Sequence, residues 1–247
     1  IHRCAGMNGT PLPVFDLGVA PYPPVHRLQE RIRTAVISGT LGGALLLLEH
    51  TPVITLGRRA TSADVSDWRG VTSRGVHVTR SERGGQATLH CPGQLLSYPI
   101  FPIPRRDVRT YVRNLEQVLM TIMRSKGIYP RRRRGYPGLY TEEGKIASLG
   151  LRCQQGIASH GTSLNVDVDL SLFDLLTCCG EPSMRQTSMS RATGRNYSMR
   201  DLKEQYVAAF SKVFALTLDP IRTLAYDQVE TLLGIAPIAV AKSQRPR

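Results

Sequence analysis

Residues 138–140, 145–152, 156–159 and 162–166 read as four strands in succession, with a turn at Glu142-Glu143-Gly144, a Ser159-His160-Gly161 turn and no helical period between them. Strands that follow one another this closely are not the strand-helix alternation that winds a parallel sheet. Helical spacing is confined to flanking segments. The expected fold class is therefore α+β, a mixed or antiparallel sheet flanked by helices. At 247 residues the chain can bury a full core, so one domain over 1–247 is expected, with a helix and polar tail over 220–247.

Residues 14–19 read as a short strand. After Pro23-Pro24, Val25, Leu28, Ile32 and Val36 recur at helical spacing, with Arg27, Glu30, Arg31 and Arg33 on the wet side. Residues 42–49 and 53–56 read as two buried strands, and 76–79, 86–90 and 94–101 as three more; residues 60–76 are polar and turn-rich. A helix is predicted over 107–126, capped by Asp107, with Gly127 at its stop. The run Arg131–Arg134 reads as a solvated loop, and 170–176 as a short helix or turn. A last strong helix is expected over 198–216, where Ser198 and Asp201 have capping-box spacing, followed by a helix near 225–233 and a polar tail over 242–247.

The net charge of +13 favours an acidic partner, which could be nucleic acid, a membrane surface or an acidic carrier protein. Five cysteines, at 4, 91, 153, 178 and 179, show no Cys-x-x-Cys and no regular spacing, which points to a reducing compartment and away from disulfides or structural zinc. The longest apolar run, residues 44–48, is far too short to span a bilayer, so no membrane partner is expected. A first residue of Ile1 and the basic charge point to a processed chain of a mitochondrial matrix, with a bacterial cytoplasm as the alternative.

Chemistry concentrates in residues 140–189. A thiol attacks acyl groups as thiolate, and a neighbouring cation lowers its pKa. Lys145 is the only lysine between Lys126 and Lys203, and Cys178 and Cys179 are adjacent thiols. Spacing alone neither chooses between them nor places Lys145 beside either.

The segments Lys145-Ile-Ala-Ser-Leu-Gly150, Ser159-His-Gly-Thr-Ser-Leu-Asn165, Asp169-Leu-Ser-Leu-Phe173, Cys179-Gly180 and Thr187-Ser-Met189 together resemble the lipoyl(octanoyl) transferases. So do the upstream blocks Arg83-Gly-Gly-Gln-Ala-Thr-Leu-His-Cys-Pro-Gly-Gln94 and His50-Thr-Pro-Val-Ile-Thr-Leu-Gly-Arg58. The resemblance implies the catalytic-domain fold shared by biotin and lipoate protein ligases. It also implies transfer of octanoyl from octanoyl-acyl carrier protein, through a cysteine thioester, to a lysine of a lipoyl domain. Acceptors would be the lipoyl domains of 2-oxoacid dehydrogenases and the glycine cleavage H protein. No ATP, metal or bound cofactor is implied.

Carried onto this chain, the resemblance makes Cys179 the nucleophile and Lys145 the group that lowers its pKa and moves protons. Cys178 stands where the family usually has proline. Substrate-binding residues would be Arg83, Gly84, Gly85, Gln86, Ala87, Thr88, Leu89 and His90, then Ser148, Leu149 and Gly150, then Gly161, Thr162 and Ser163. His90 and His160 would orient or contact the acyl group, and backbone amides of the glycine-flanked turns would steady an oxyanion. With Cys91, the two histidines do not make a convincing metal set. Cys91 replaces a usual glycine, so it is expected to crowd the acyl pocket or change its length preference.

Two other classes compete. An ATP-dependent lipoate or biotin protein ligase would carry a Gly-Arg-Gly-Arg type loop where this chain has Arg83-Gly84-Gly85. A basic nucleic-acid-binding protein would interleave aromatics with its charges, and only Tyr129 and Tyr136 flank the arginine run, so no nucleic acid is expected. The functional alternative for that run is docking of an acidic carrier protein.

Overall fold

Ala44, Leu45, Leu46, Leu47 and Leu48 are all at 0% exposure, and a strand apolar on both faces folds only where both faces are covered. The computed structural model describes residues 10–103, 107–178, 181 and 184–235. Its first half contains β1 (Val14–Ala20), α1 (Tyr22–Ile37), β2 (Ala44–His50), β3 (Val53–Leu56), α2 (Trp68–Ser73), β4 (His77–Arg80), β5 (Ala87–His90) and β6 (Gln94–Ile100). Then follow α3 (Val108–Ser125), β7 (Arg131–Arg133), β8 (Tyr136–Tyr140), β9 (Lys145–Gln154), β10 (Ile157–Asn165), α4 (Met189–Thr193), α5 (Met199–Phe214), β11 (Arg222–Thr223) and α6 (Tyr226–Leu232).

Eight strands form one sheet in the order β11-β1-β2-β6-β10-β9-β8-β7, and β4-β3-β5 form a smaller one. β1 runs parallel to both neighbours, whereas β2, β6, β10, β9, β8 and β7 are successively antiparallel. The α+β expectation with a mixed sheet holds, though the strands divide between two sheets. On one face of the large sheet Leu45, Leu47 and Leu95 pack with the apolar sides of α3 and α5. On the other, Leu46, Leu48 and Leu96 pack with Val25, Leu28 and Ile32 of α1 and with Val229 of α6. The small sheet has a third core, built from Ile54, Val65, Leu89, Cys91, Phe173 and their neighbours.

Local chemistry sets the helix starts. Asp107 accepts the Thr110 amide at 3.3 Å, and Ser198 Oγ accepts that of Asp201 at 3.2 Å. Pro23 and Pro24 sit in the first turn of α1, where a missing N–H leaves no helical bond unmade.

Three sequence expectations change. Arg131–Arg133 is not a loop but an edge strand paired with β8; its charged side chains suit a sheet edge, where they oppose further pairing. Ser159-His160-Gly161 is not a turn. β10 runs through it in unbroken register with β9 from Ile157 to Leu164, with His160 held left-handed at φ 57°. The stretch 60–76 contains α2, which starts where the Asp67 carboxylate accepts the Gly70 amide at 2.8 Å. The polar tail over 242–247 lies outside the described residues.

Leu47→Ala is expected to lower unfolding free energy by about 2–5 kcal/mol, because a fully buried side chain leaves a cavity. Arg131→Ala removes an ion pair whose partners are 79% and 89% exposed and should cost under about 1 kcal/mol. Urea titration of the two variants checks the contrast.

Candidate active site

Where β9 and β10 face the loops of the small sheet, the chain encloses a cavity of about 510 Å³. Of the residues named from sequence, Arg83, Gly84, Gly85, Gln86, Ala87, Thr88, His90, Lys145, Ser148, Leu149, Gly150, His160, Gly161, Thr162 and Ser163 line it. Leu89 does not; its side chain is fully buried in the core of the small sheet. Cys91 is likewise buried in that core rather than in the cavity wall, so it does not crowd the pocket as expected. Burial, with help from Asp169 and Glu49, pushes its thiol up to about 12, which leaves no reactive thiolate. Cys178 also packs in the small-sheet core. The residues Cys179 and Gly180 lie outside the described residues.

Lys145 is 2% exposed. Its amide donates to the Arg185 carbonyl at 2.8 Å and its carbonyl accepts from the Thr187 amide at 3.0 Å, so residues 185–187 lie against the start of β9. The ammonium is 5.7 Å from the centroid of the Tyr140 ring, within range of a cation–π attraction. Gly138 makes room for it: a Cβ there would stand 2.7 Å from Lys145 Cε, and φ of +135° suits only glycine.

A chain of buried amides ties this lysine's backbone to the cavity. His90 Nδ1 donates to Gln94 Oε1 at 2.9 Å, and Gln94 Nε2 donates to Asn165 Oδ1 at 2.9 Å. Asn165 Nδ2 in turn donates to the Thr187 carbonyl at 2.9 Å. These partners fix the amide orientations and the His90 tautomer.

Arg83 is almost fully buried. Its guanidinium donates to Thr55 Oγ1 at 2.8 and 3.0 Å, to the Thr55 carbonyl at 2.5 Å and to the Gly84 carbonyl at 3.1 Å. It fits only because Gly57 and Gly150 lack side chains; added Cβ atoms would stand 2.8 and 2.9 Å from it. The Gly84 amide donates to the Leu151 carbonyl at 2.8 Å. It is therefore committed within the protein, and the expected oxyanion role does not extend to it.

His90, His160, Tyr22 and Tyr98 line the cavity, backed by His26 and His50 in a continuous set of ring contacts with centroids 5.2–6.3 Å apart. His50 Nδ1 donates to the Ala20 carbonyl at 2.8 Å, so its Nε2 accepts from the Tyr98 hydroxyl at 3.0 Å. The His160 amide donates to Gln29 Oε1 at 2.9 Å. The rings meet in tilted and edge-on contacts, and among the described residues no three ligating side chains are placed to hold a metal ion.

Burial pushes His50 down to about 4 and His90 down to about 3, and holds His160 well below the ordinary imidazole range. At neutral pH this wall is uncharged. In the unfolded chain each imidazole takes a proton near ~6.5, so below that pH the unfolded state binds more protons and stability falls. The stability should be full above about pH 6.5 and decline progressively towards pH 4. His50→Gln should flatten that decline by close to one proton, as read from urea midpoints across the range.

Several lining residues were not found from sequence: Tyr22, Arg59, Tyr98, Val108, Val112, Gly135, Tyr136 and Pro137. Val108 and Val112 fall within the helix expected over 107–126, and only the fold shows that this end of α3 overhangs the cavity. Arg59 directly follows the His50–Arg58 block, which was its one available signal.

A family model described as the lipoyl protein ligase A/B catalytic domain matches residues 21–211. An octanoyltransferase of Roseiflexus sp. (strain RS-1) is 37% identical over 211 residues, 83% of this chain and 88% of that protein. One of Rubrobacter xylanophilus is 39% identical over 199 residues, 79% of this chain and 90% of the relative. Among solved structures, lipoate-protein ligase A bound with ATP superimposes with a TM-score of 0.75 at 15% identity, covering 91% of this chain and 93% of that one. A T. acidophilum protein with bound lipoic acid gives 0.74 at 16% identity, covering 91% and 94%. These two share the fold. Sequence blocks, cavity and relatives agree, and the chain belongs to the lipoyl protein ligase A/B catalytic-domain family.

Proposed function

We infer that this chain is an octanoyltransferase of lipoate biosynthesis, which moves an octanoyl group from octanoyl-acyl carrier protein to a lysine of a lipoyl domain. The observation that carries this reading is a buried lysine in the wall of a cavity of about 510 Å³, within the roughly 300–1,000 Å³ usual for small-molecule sites. The chain also matches octanoyltransferases over most of both lengths. Its likeness to ATP-binding ligases is one of fold, which does not by itself carry activity.

The reaction has two displacements. The Cys179 thiolate attacks the thioester carbonyl; the donor's carbon–sulfur bond breaks and its thiolate takes a proton from the Lys145 ammonium. The acceptor amine then attacks the enzyme thioester and releases Cys179 as thiolate, while the proton lost from nitrogen returns to Lys145. The sum is thioester plus amine giving amide plus thiol, with no ATP consumed. The hydrophobic parts of the cavity would hold the chain, while Arg83 and the neutral histidines would set its polar end. Acceptors are proposed to be lipoyl domains of 2-oxoacid dehydrogenases and the glycine cleavage H protein. The relatives named above are bacterial, which leaves the mitochondrial expectation without support. No described helix is long and apolar enough to cross a membrane.

Wild-type protein incubated with octanoyl-acyl carrier protein, without ATP, should gain one octanoyl mass that hydroxylamine removes. Cys178→Ser should keep that thioester adduct and Cys179→Ser should lose it; an unmodified wild-type protein refutes the mechanism. Lys145→Ala should lower kcat/KM by about 10²-fold or more, the usual worth of a positioned acid-base group.

A further inference from the structure

The basic run Arg131–Arg134 is absorbed by none of the chemistry above, yet the fold brings it to the cavity. The three residues that follow it, Gly135, Tyr136 and Pro137, line the cavity, as do Val108 and Val112 at the start of α3. Val108 and Tyr136 are 38% and 36% exposed, so they belong to the mouth. The hairpin and the helix form one lip: Arg132 Nε donates to Glu116 at 2.5 Å and its Nη2 to the Arg113 carbonyl at 3.3 Å. Arg133 lies 4.3 Å over the Tyr136 ring and makes a forked pair with Glu181 at 3.0 Å.

Two arginines of the run are thus spent on holding the lip. The remaining positive charge faces out. Arg109 and Arg113 on α3 and Arg134 at the hairpin tip are exposed and have no carboxylate within ion-pair distance among the described residues. Arg59, also exposed, lines the same cavity.

We propose that this lip, carrying Arg109, Arg113 and Arg134, is the docking surface for an acidic face of the carrier domain that delivers the acyl thioester. This rests on the acyl-transfer reading. Charge complementarity with a chain of net charge +13 supports an acidic occupant. The donor fits better than the acceptor, because it must seat its alkyl chain past the apolar steps Val108 and Tyr136 before any bond to the protein exists, whereas the acceptor meets a chain already held in the cavity. Nucleic acid fits less well, since the face of Tyr136, the aromatic at the lip, is covered by Arg133.

The test compares wild-type protein with R109E/R113E/R134E. Fluorescence anisotropy of a labelled, unacylated acyl carrier protein should show binding weakened about tenfold or more, with a shallower salt dependence. The kcat/KM for octanoyl-acyl carrier protein should fall in parallel, while transfer from octanoyl-pantetheine, which has no protein to dock, stays unchanged. Unaltered carrier binding overturns the proposal. So does an equal loss with octanoyl-pantetheine, or a loss confined to lipoyl-domain or single-stranded DNA binding. Wild-type protein that transfers from neither donor sinks the acyl-transfer reading alone, because the binding measurement still decides the docking surface.

Discussion

Lys145 sits at 2% exposure at the start of β9, and a cation placed there has to be held by well-satisfied surroundings. The chain of amides from His90 through Gln94 and Asn165 to Thr187 fixes the backbone from which that side chain projects. Each link joins a different piece of the molecule: His90 ends β5 of the small sheet, Gln94 and Asn165 begin β6 and end β10 of the large one, and Thr187 returns through its amide to the Lys145 carbonyl. Because every member is buried, removing one leaves its neighbours unpaired, at about 1–3 kcal/mol for each stranded group. The cavity is therefore rigid at the point where its lysine is fixed.

The opposite wall is built differently, with some buried polar atoms paired and others, such as His160 Nε2, without a protein hydrogen bond among the described residues. Histidines and tyrosines in tilted and edge-on contact fill space like apolar rings while passing hydrogen bonds to Ala20, Gln94 and one another. Burial keeps the imidazoles uncharged. Among the described lining residues the charged side chains are Lys145, the tightly held Arg83 and, exposed at the mouth, Arg59. The result is a pocket whose imidazoles are uncharged beneath a strongly basic exterior.

Much of this was legible before folding. The succession of strands over 138–166 called for directly connected strands there, and β8, β9 and β10 pair antiparallel as such; the helical crossover lies at the other end of the sheet, where α1 joins the parallel strands β1 and β2. Asp107 and Ser198 marked the helix starts, and the alternating or continuous apolar runs marked the strands of the core. Most of the cavity's inner wall was named only by the resemblance to the lipoyl(octanoyl) transferases, carried on the blocks 83–94, 145–150 and 159–165. Leu89 and Cys91 were misassigned for a plain reason: neighbours in a motif point alternately to opposite sides of a strand, and motif membership does not say which.

By itself, the sequence determined which segments become strands and helices and which of their side chains are buried, since apolar periodicity and capping are local demands that a pattern of residue types can express. The tertiary structure alone decided that the end of α3, the arginine hairpin and Arg59 share one cavity mouth, and that Gly138 is the space occupied by Lys145. Those are encounters between residues far apart in the chain. Their positions follow from the angles and register at which completed elements meet, and no periodicity or spacing records that.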